Sequence, residues 1–276
     1  MKISEAAEFA LRQIGSRYEE REASNICRIL FEDLFDITNL RSEKSFEEEE
    51  ELKVVLERLE SGEPIQYIIG VCNFFGFDFK VNKHVLIPRP ETEELVHWVL
   101  TDYKRSGKQL DVLDIGLGSG CIAVTIKKKV PRFRVFGIEK SIETLNVARI
   151  NSRKLSAPVT FYAFDFLVES LWDQMGMFDI IVSNPPYIDP GERNVIADHV
   201  LLHEPEMALF AYDDSLIFYK KIQQFADKHL AETGSIYLEL HEDHAIETAQ
   251  IFLDSGYQTE IRKDLQGKDR MLKVIK

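Results

Sequence analysis

Residues 110–129 read LDVLDIGLGSGCIAVTIKKK, and within them Asp114-Ile115-Gly116-Leu117-Gly118-Ser119-Gly120 joins an apolar run to an amphipathic one. An apolar run that stops at glycines and resumes with helical periodicity reads as a buried β-strand turning into an α-helix, here a strand over 110–115 and a helix over 119–129. Glycines at such a turn let the backbone pass close under a ligand, and the helix N-terminus offers N–H groups that no helical carbonyl uses. The spacing is GxGxG, which differs from the GxGxxG of dinucleotide sites.

The same alternation continues downstream. Strands are predicted over 133–139, 159–164, 178–183, 235–240, 257–261 and 271–275, and helices over 142–155, 216–230 and 245–253. Strands and helices in turn imply an α/β fold with a mostly parallel sheet covered on both faces. The last two strands, separated only by Arg262 to Arg270, fit an antiparallel hairpin at one edge. Upstream, Ala6, Phe9, Ala10 and Ile14, then Ile26, Ile29, Leu30 and Leu34, then Leu52, Val55, Leu56 and Leu59 carry helical spacing. Three or four short helices follow from that pattern, the last opened by the acidic run Glu47 to Glu51, which suits the positive end of a helix dipole. Between these regions Tyr67 to Gly70 and Phe74 to Val81 alternate with aromatics, which predicts a β-hairpin turning near Gly76. The expected organisation is a helical domain over 1–60, a hairpin linker over 61–85 and an α/β domain over 86–276.

Composition narrows the function classes. The chain has 276 residues, 45% hydrophobic and 29% charged, as ordinary globular proteins do. No apolar run approaches the ~18 residues a membrane span needs, and Met1 to Ala6 lacks a signal peptide's apolar core, so a cytoplasmic monomer without a membrane partner is expected. The 34 basic and 47 acidic residues give a net charge of −13, which disfavours a nucleic-acid partner. Cys27, Cys72 and Cys121 are far apart, and the pairs His199/His203 and His241/His244 have no third ligand nearby in sequence, so no metal site is expected.

Three further elements point to a ligand. Glu139 ends the strand after the glycine turn, where a carboxylate can accept both hydroxyls of a ribose. With Gly116, Leu117, Gly118, Ser119 and Gly120 under the remainder of the ligand, this favours S-adenosylmethionine. Asp165-Phe166 closes the third strand, where Asp165 could meet an adenine amino group and Phe166 could flank the base. Asn184-Pro185-Pro186-Tyr187 follows the apolar strand 178–183, and its two prolines remove N–H donors and stiffen the turn. The Asn184 amide oxygen and the Pro185 carbonyl are then fixed acceptors suited to a planar NH2 group, with Tyr187 able to cover one face and Asn184 also touching the cofactor. Lys127, Lys128 and Lys129 read as a solvated face that complements the helix dipole.

Glycine turn, acidic strand end and Asn-Pro-Pro-Tyr in that order resemble the class I, seven-stranded, Rossmann-like S-adenosylmethionine methyltransferases that act on planar nitrogens. Pro64 to Gly70, Phe75-Gly76 and above all Leu86-Ile87-Pro88-Arg89-Pro90-Glu91-Thr92-Glu93-Glu94-Leu95-Val96 resemble the protein glutamine N5-methyltransferases of the HemK/PrmC type, as do Glu204-Pro205, Ala208-Leu209 and Gly267 to Arg270. The resemblance implies a small all-helical N-terminal domain that helps recognise the substrate. It also implies methylation of the glutamine in the Gly-Gly-Gln motif of peptide chain release factors, in support of translation termination. Catalytic roles fall on Asn184, Pro185 and Tyr187, and Pro186 joins them in binding the substrate. A ribosomal-protein glutamine methyltransferase, a nucleic-acid adenine methyltransferase and a non-catalytic adaptor are the alternatives. The chain departs from the family pattern at Leu117, where Thr is usual, at Glu139, where Asp is commoner, at Tyr212 to Ser215, where glycines are usual, and at His241.

Overall fold

The computed structural model describes residues 1–211 and 214–276, so Tyr212 and Asp213 of the glycine-poor stretch lie outside the described residues. The chain forms two compact units, Met1–Val71 with Ile196–Glu204, and Cys72–Val195 with Pro205–Lys276.

The first unit is helical. It holds α1 (Ile3–Ile14), α2 (Glu20–Ile29) with a π-helical turn over Leu30–Leu34, α3 (Glu49–Glu60), α4 (Ile65–Ile69) and, from later in the chain, α8 (Asp198–His203). The periodic residues make its core: Ala6, Ala10 and Ile14 of α1 are buried with Ala23, Ile26 and Cys27 of α2 and with Leu52, Val55, Leu56 and Leu59 of α3. Phe35 and Phe46 meet edge to face at 5.2 Å, and both pack on Phe31. Tyr67 to Ile69 belong to α4, not to an alternating segment. Pro64 precedes the helix and Gly70 ends it in a left-handed conformation at φ 78°, and a five-residue helix is too short for its period to be read.

The second unit opens with a hairpin, β1 (Val71–Phe74) and β2 (Phe77–Lys80), whose turn residues Phe75 and Gly76 both have positive φ. There follow α5 (Pro90–Tyr103), β3 (Asp111–Ile115), α6 (Cys121–Lys129), β4 (Arg134–Glu139), α7 (Ile142–Lys154), β5 (Thr160–Ala163) and β6 (Phe178–Ser183). The unit closes with α9 (Glu206–Leu209), α10 (Ile217–His229), β7 (Leu230–Glu239), α11 (Ala245–Asp254), β8 (Gln258–Lys263) and β9 (Asp269–Ile275). Seven strands form one sheet in the order β5-β4-β3-β6-β7-β9-β8, parallel from β5 through β7. The last two strands pair antiparallel at one edge, but β9 lies inside β8 and pairs with β7 as well. The order is that of the class I methyltransferase sheet.

Both faces of the sheet are covered at its centre, where β3, β6 and the second half of β7 are almost wholly buried, whereas the edge strand β8 is polar and largely exposed. Val112, Ile180 and Val182 are buried with α5 and α6, and in the same cluster lie Phe74 and Phe79 of the hairpin. Leu113, Ile115 and Ile181 are buried on the other side with Tyr219, Ile222 and Phe225 of α10 and Phe252 of α11.

Candidate active site

Strand register builds the site. Ile115 pairs with Ile138 on one side and Ser183 on the other, and Ser183 pairs with Leu238. The next residue on each strand, Glu139, Gly116, Asn184 and Glu239, therefore falls on one row at the carboxyl edge of the parallel strands. A hydrogen bond from the Ser183 hydroxyl to the Ile115 carbonyl, 2.6 Å long, ties the two middle strands at that level. Between β3 and β6 the winding of the sheet reverses, which opens a crevice above the strand ends. The crevice holds a cleft of ≈ 930 Å³, counted out to open solvent.

On one wall the lining is largely backbone. Gly116 and Gly118 have φ of +79° and +53°, and a Cβ added at either would meet nothing within 4 Å, so both glycines face open space. Gly120 lies elsewhere, with its missing Cβ 3.2 Å from Ala148, where it closes the packing of α6 on α7. Glu139 is buried and accepts N–H bonds from Gly118 (3.2 Å) and Ser141 (3.0 Å). Burial raises its pKa above the ordinary range, against the pull of those donors. Asp114 is fully buried and accepts the Ala123 N–H at 3.1 Å, while its Oδ1 has no partner among the described residues. Burial first, then Glu139, pushes it up to about 8.

Other predicted residues take more mixed positions. Leu117, Ser119, Asp165 and Phe166 all line the cleft, as does Phe164, which the sequence reading passed over. The Phe166 ring stacks on Trp172 at 5.3 Å, and its carbonyl accepts the Trp172 indole N–H, so this residue floors the cleft with its aromatic face engaged in the core. Asp165 accepts the Leu167 N–H and stands 3.9 Å from Lys140. Of the three lysines ending α6, Lys128 is exposed as a solvated face requires, while Lys127 and Lys129 are half-buried. Lys127 donates to the carbonyls of Pro131 and Phe133 and Lys128 to that of Leu155, while Lys129 lies over the rings of Phe75 and Phe77.

Side chains make the opposite wall. Asn184 and Pro186 line the cleft, and Pro185 is buried. The Asn184 Nδ2 donates to the Thr92 hydroxyl at 3.0 Å, and that hydroxyl donates to Glu239 Oε2 at 2.6 Å. Tyr187 donates to Glu239 Oε1 at 3.3 Å and meets the His241 ring edge to face at 5.9 Å. Burial pushes Glu239 up to about 7, opposed by the Thr92 hydroxyl and the Arg270 guanidinium. Thr92 comes within reach because Arg89 is extended before α5 and Pro90 occupies its first turn, with Glu91 and Glu93 at the positive end of the dipole. Pro88 and Arg89 line the cleft beside it.

Thr92, quoted only as part of the Leu86 to Val96 signature, and Glu239 and Asn151 have no role assigned from the sequence. Asn151 donates to the carbonyls of Ser119 and Lys80 and accepts the Lys80 N–H, which ties the glycine turn to the hairpin. A polar residue inside the apolar face of a predicted helix is the signal that could have marked it. Among the described residues no three His, Cys, Asp or Glu side chains are grouped as metal ligands would be, and no helix is long and apolar enough to cross a membrane.

Comparison with known proteins shows what the chain as a whole is similar to. The family model of the methyltransferase small domain matches residues 95–228, and that of the PrmC N-terminal domain matches residues 3–70. The chain is 42% identical over 226 residues to the release factor glutamine methyltransferase of Flavobacterium psychrophilum, covering 80% of this chain and 79% of that protein. It is 37% identical over 269 residues to the protein of the same name from Thermodesulfovibrio yellowstonii, covering 95% of each. A methyltransferase structure from Pyrococcus furiosus, 18% identical, shares the fold with a TM-score of 0.52 over 83% of this chain and 98% of that one.

Proposed function

The chain belongs to the release factor glutamine methyltransferase family, and from that premise we infer that it transfers a methyl group from S-adenosylmethionine to the side-chain amide nitrogen of the Gly-Gly-Gln glutamine in peptide chain release factors. The reaction serves translation termination in the cytoplasm. One observation carries the reading of the acceptor: Asn184 donates an N–H of its amide to Thr92, which turns its nitrogen toward α5 and leaves its oxygen as the acceptor on a wall of the cleft.

The residues present fit the cofactor. The space over Gly116 and Gly118 is what a Cβ would fill, and the unpaired oxygen of Asp114 is a buried acceptor beside that turn. Glu139 would hold the ribose, Gly116 to Ser119 the methionine portion, and Asp165 and Phe166 the adenine, while Gly120 serves the packing of α6 on α7. When bound, S-adenosylmethionine supplies an electrophilic methyl group on a sulfonium.

A glutamine amide is a poor nucleophile because its nitrogen lone pair is delocalised into the carbonyl, so alignment must supply much of the rate. Asn184 and the Pro185 carbonyl accept its two N–H bonds and fix the plane of the amide, and Tyr187 and Pro186 flank it. Holding a nucleophile in line is worth several kcal/mol, of the order of 7 or more in favourable cases. The N-methylated cation is strongly acidic and releases its proton after transfer, so a strong base is not required.

Recognition extends beyond the tetrapeptide. Ordering a flexible Gly-Gly-Gln segment costs roughly 1–2 kcal/mol per residue, more than one amide contact offsets. The helical domain over 1–60 and the segment 188–214, whose described part is built of short helices and not of one long loop, supply the additional contacts. The test is transfer of labelled methyl groups to an intact release factor, to its Gly-Gly-Gln peptide and to a ribosomal protein. Far higher catalytic efficiency on the intact release factor is expected. Preference for the ribosomal protein would overturn the substrate assignment, and equal efficiency on peptide and protein would confine recognition to the cleft.

A further inference from the structure

The amide of Asn184 can serve the acceptor in only one of its two orientations, and the structure shows what selects it. Rotated by half a turn, the side chain would present NH2 to a substrate NH2, two donors facing each other. Its Nδ2 bonds to Thr92 Oγ1, and the single hydroxyl proton of Thr92 is committed to Glu239, 2.6 Å away. A hydroxyl that donates in one direction can only accept from the other. The direction of the whole chain is therefore set at its far end, where an ionised carboxylate accepts and never donates.

We propose that Thr92 and Glu239 are positioning residues, resting on the reading of the acceptor given above: Glu239, 2.6 Å from the Thr92 hydroxyl, sets the direction of the Glu239–Thr92–Asn184 chain and thereby keeps the Asn184 oxygen turned to the substrate. The second oxygen of Glu239 accepts the Tyr187 hydroxyl, so one carboxylate braces both ends of the Asn184–Tyr187 turn. The row made by strand register accounts for the placement, since Glu239 follows Leu238 as Asn184 follows its partner Ser183. Each group facing Glu239 has a defined part. From α5 come the Thr92 hydroxyl and the opposing charge of Glu91, from the turn after β6 the Tyr187 hydroxyl, and from β9 the favourable charge of Arg270. From α10, Tyr219 donates to the Glu239 backbone carbonyl at 2.9 Å and leaves the carboxylate to the other two.

Protonation of Glu239 reverses the logic. A carboxylic acid can donate to Thr92, the hydroxyl is then free to donate to Asn184, and the amide turns its oxygen inward. Because burial raises the Glu239 pKa to about 7, the carboxylate gives way to the acid as pH falls through that value, and kcat should fall with it. Cofactor binding uses the other wall, where Asp114 and Glu139 are the groups with raised pKa, so its pH dependence should be the same in Thr92→Val as in the wild type.

The experiment measures kcat, KM for an intact release factor and S-adenosylmethionine affinity against pH in the wild type, Glu239→Gln, Thr92→Val and Thr92→Ser. It also records the Asn184 side-chain amide signals of the 15N-labelled proteins without substrate. The wild type should lose kcat on the acid side with a midpoint near 7, and its Asn184 signals should titrate at the same midpoint. Glu239→Gln and Thr92→Val should lower kcat by roughly 10–100-fold, leave cofactor affinity unchanged, and abolish both the acid limb and the titration. Thr92→Ser, which keeps the hydroxyl, should restore both. Full kcat in either disabling variant, or an acid limb that persists in Thr92→Val, would overturn the proposal. A wild type that leaves release factors unmethylated would sink the functional reading alone, since the Asn184 titration would still decide whether the chain has a direction.

Discussion

The two walls of the cleft are made of different material. The wall over β3 and β4 is a backbone surface: two left-handed glycines facing open space, a carboxylate that accepts a loop N–H, and a helix that starts behind them. The wall over β6 and β7 is a relay of side chains, Asn184, Thr92, Glu239 and Tyr187, drawn from three separate elements, the turn after β6, α5 and β7. A backbone wall suits a ligand that must lie along the chain, and a side-chain wall suits one small planar group whose orientation must be chosen. Damage to the first should cost cofactor affinity, and damage to the second should cost transfer.

The largest effect is expected at Asn184. Asn184→Ala should lower single-turnover methyl transfer by about 10²–10³-fold, as loss of one oriented polar contact to the reacting group does elsewhere, with cofactor affinity in calorimetry close to the wild type. Equal losses in both would erase the division between the walls. Gly118→Val attacks the other wall. A β-branched residue at φ +53° is strained, and its side chain would enter the space over the turn, so cofactor affinity should fall by about 100-fold or less, depending on how far the loop yields. Normal affinity would remove the glycine turn from the cofactor site.

These two positions also mark what the sequence disclosed. Gly116 to Gly120 and Asn184 to Tyr187 are contiguous motifs that can be picked out locally, and the central strands follow from apolar runs punctuated by turns. The relay behind Asn184 is not contiguous: Thr92 reads as a helix-start residue and Glu239 as the polar end of a strand, and only the pairing of Ser183 with Leu238 brings Glu239 beside the motif. Register between strands far apart in sequence is set by packing on both faces of the sheet, which local pattern does not encode. For the same reason β9 could be read as hairpin partner of β8 without its insertion against β7 being foreseen.

Glu139→Ala should weaken cofactor binding by about 1–3 kcal/mol, the loss of charged hydrogen bonds, and should leave transfer from saturated cofactor less affected. An unchanged calorimetric affinity would take Glu139 out of the site. The smallest effect separates support from contact. Leu117, where the family usually has Thr, lies so close to Gly137 that a Cβ on Gly137 would come within 2.5 Å of its side chain. Gly137→Ala should lower stability by about 1–2 kcal/mol in denaturant unfolding, as overpacking does, and Leu117→Ala should recover part of that loss. Simple additivity of the two changes would show that the contact is not shared.

Tandem mass spectrometry of an intact release factor after incubation with the enzyme and S-adenosylmethionine tests the central claim most directly, because it reads which atom the side-chain wall selects. The expected result is one methyl group on the side-chain amide nitrogen of the Gly-Gly-Gln glutamine, absent when Asn184→Ala replaces the wild type under the same brief exposure. A methyl group on any other residue, or on that glutamine at the same rate without Asn184, would contradict the account.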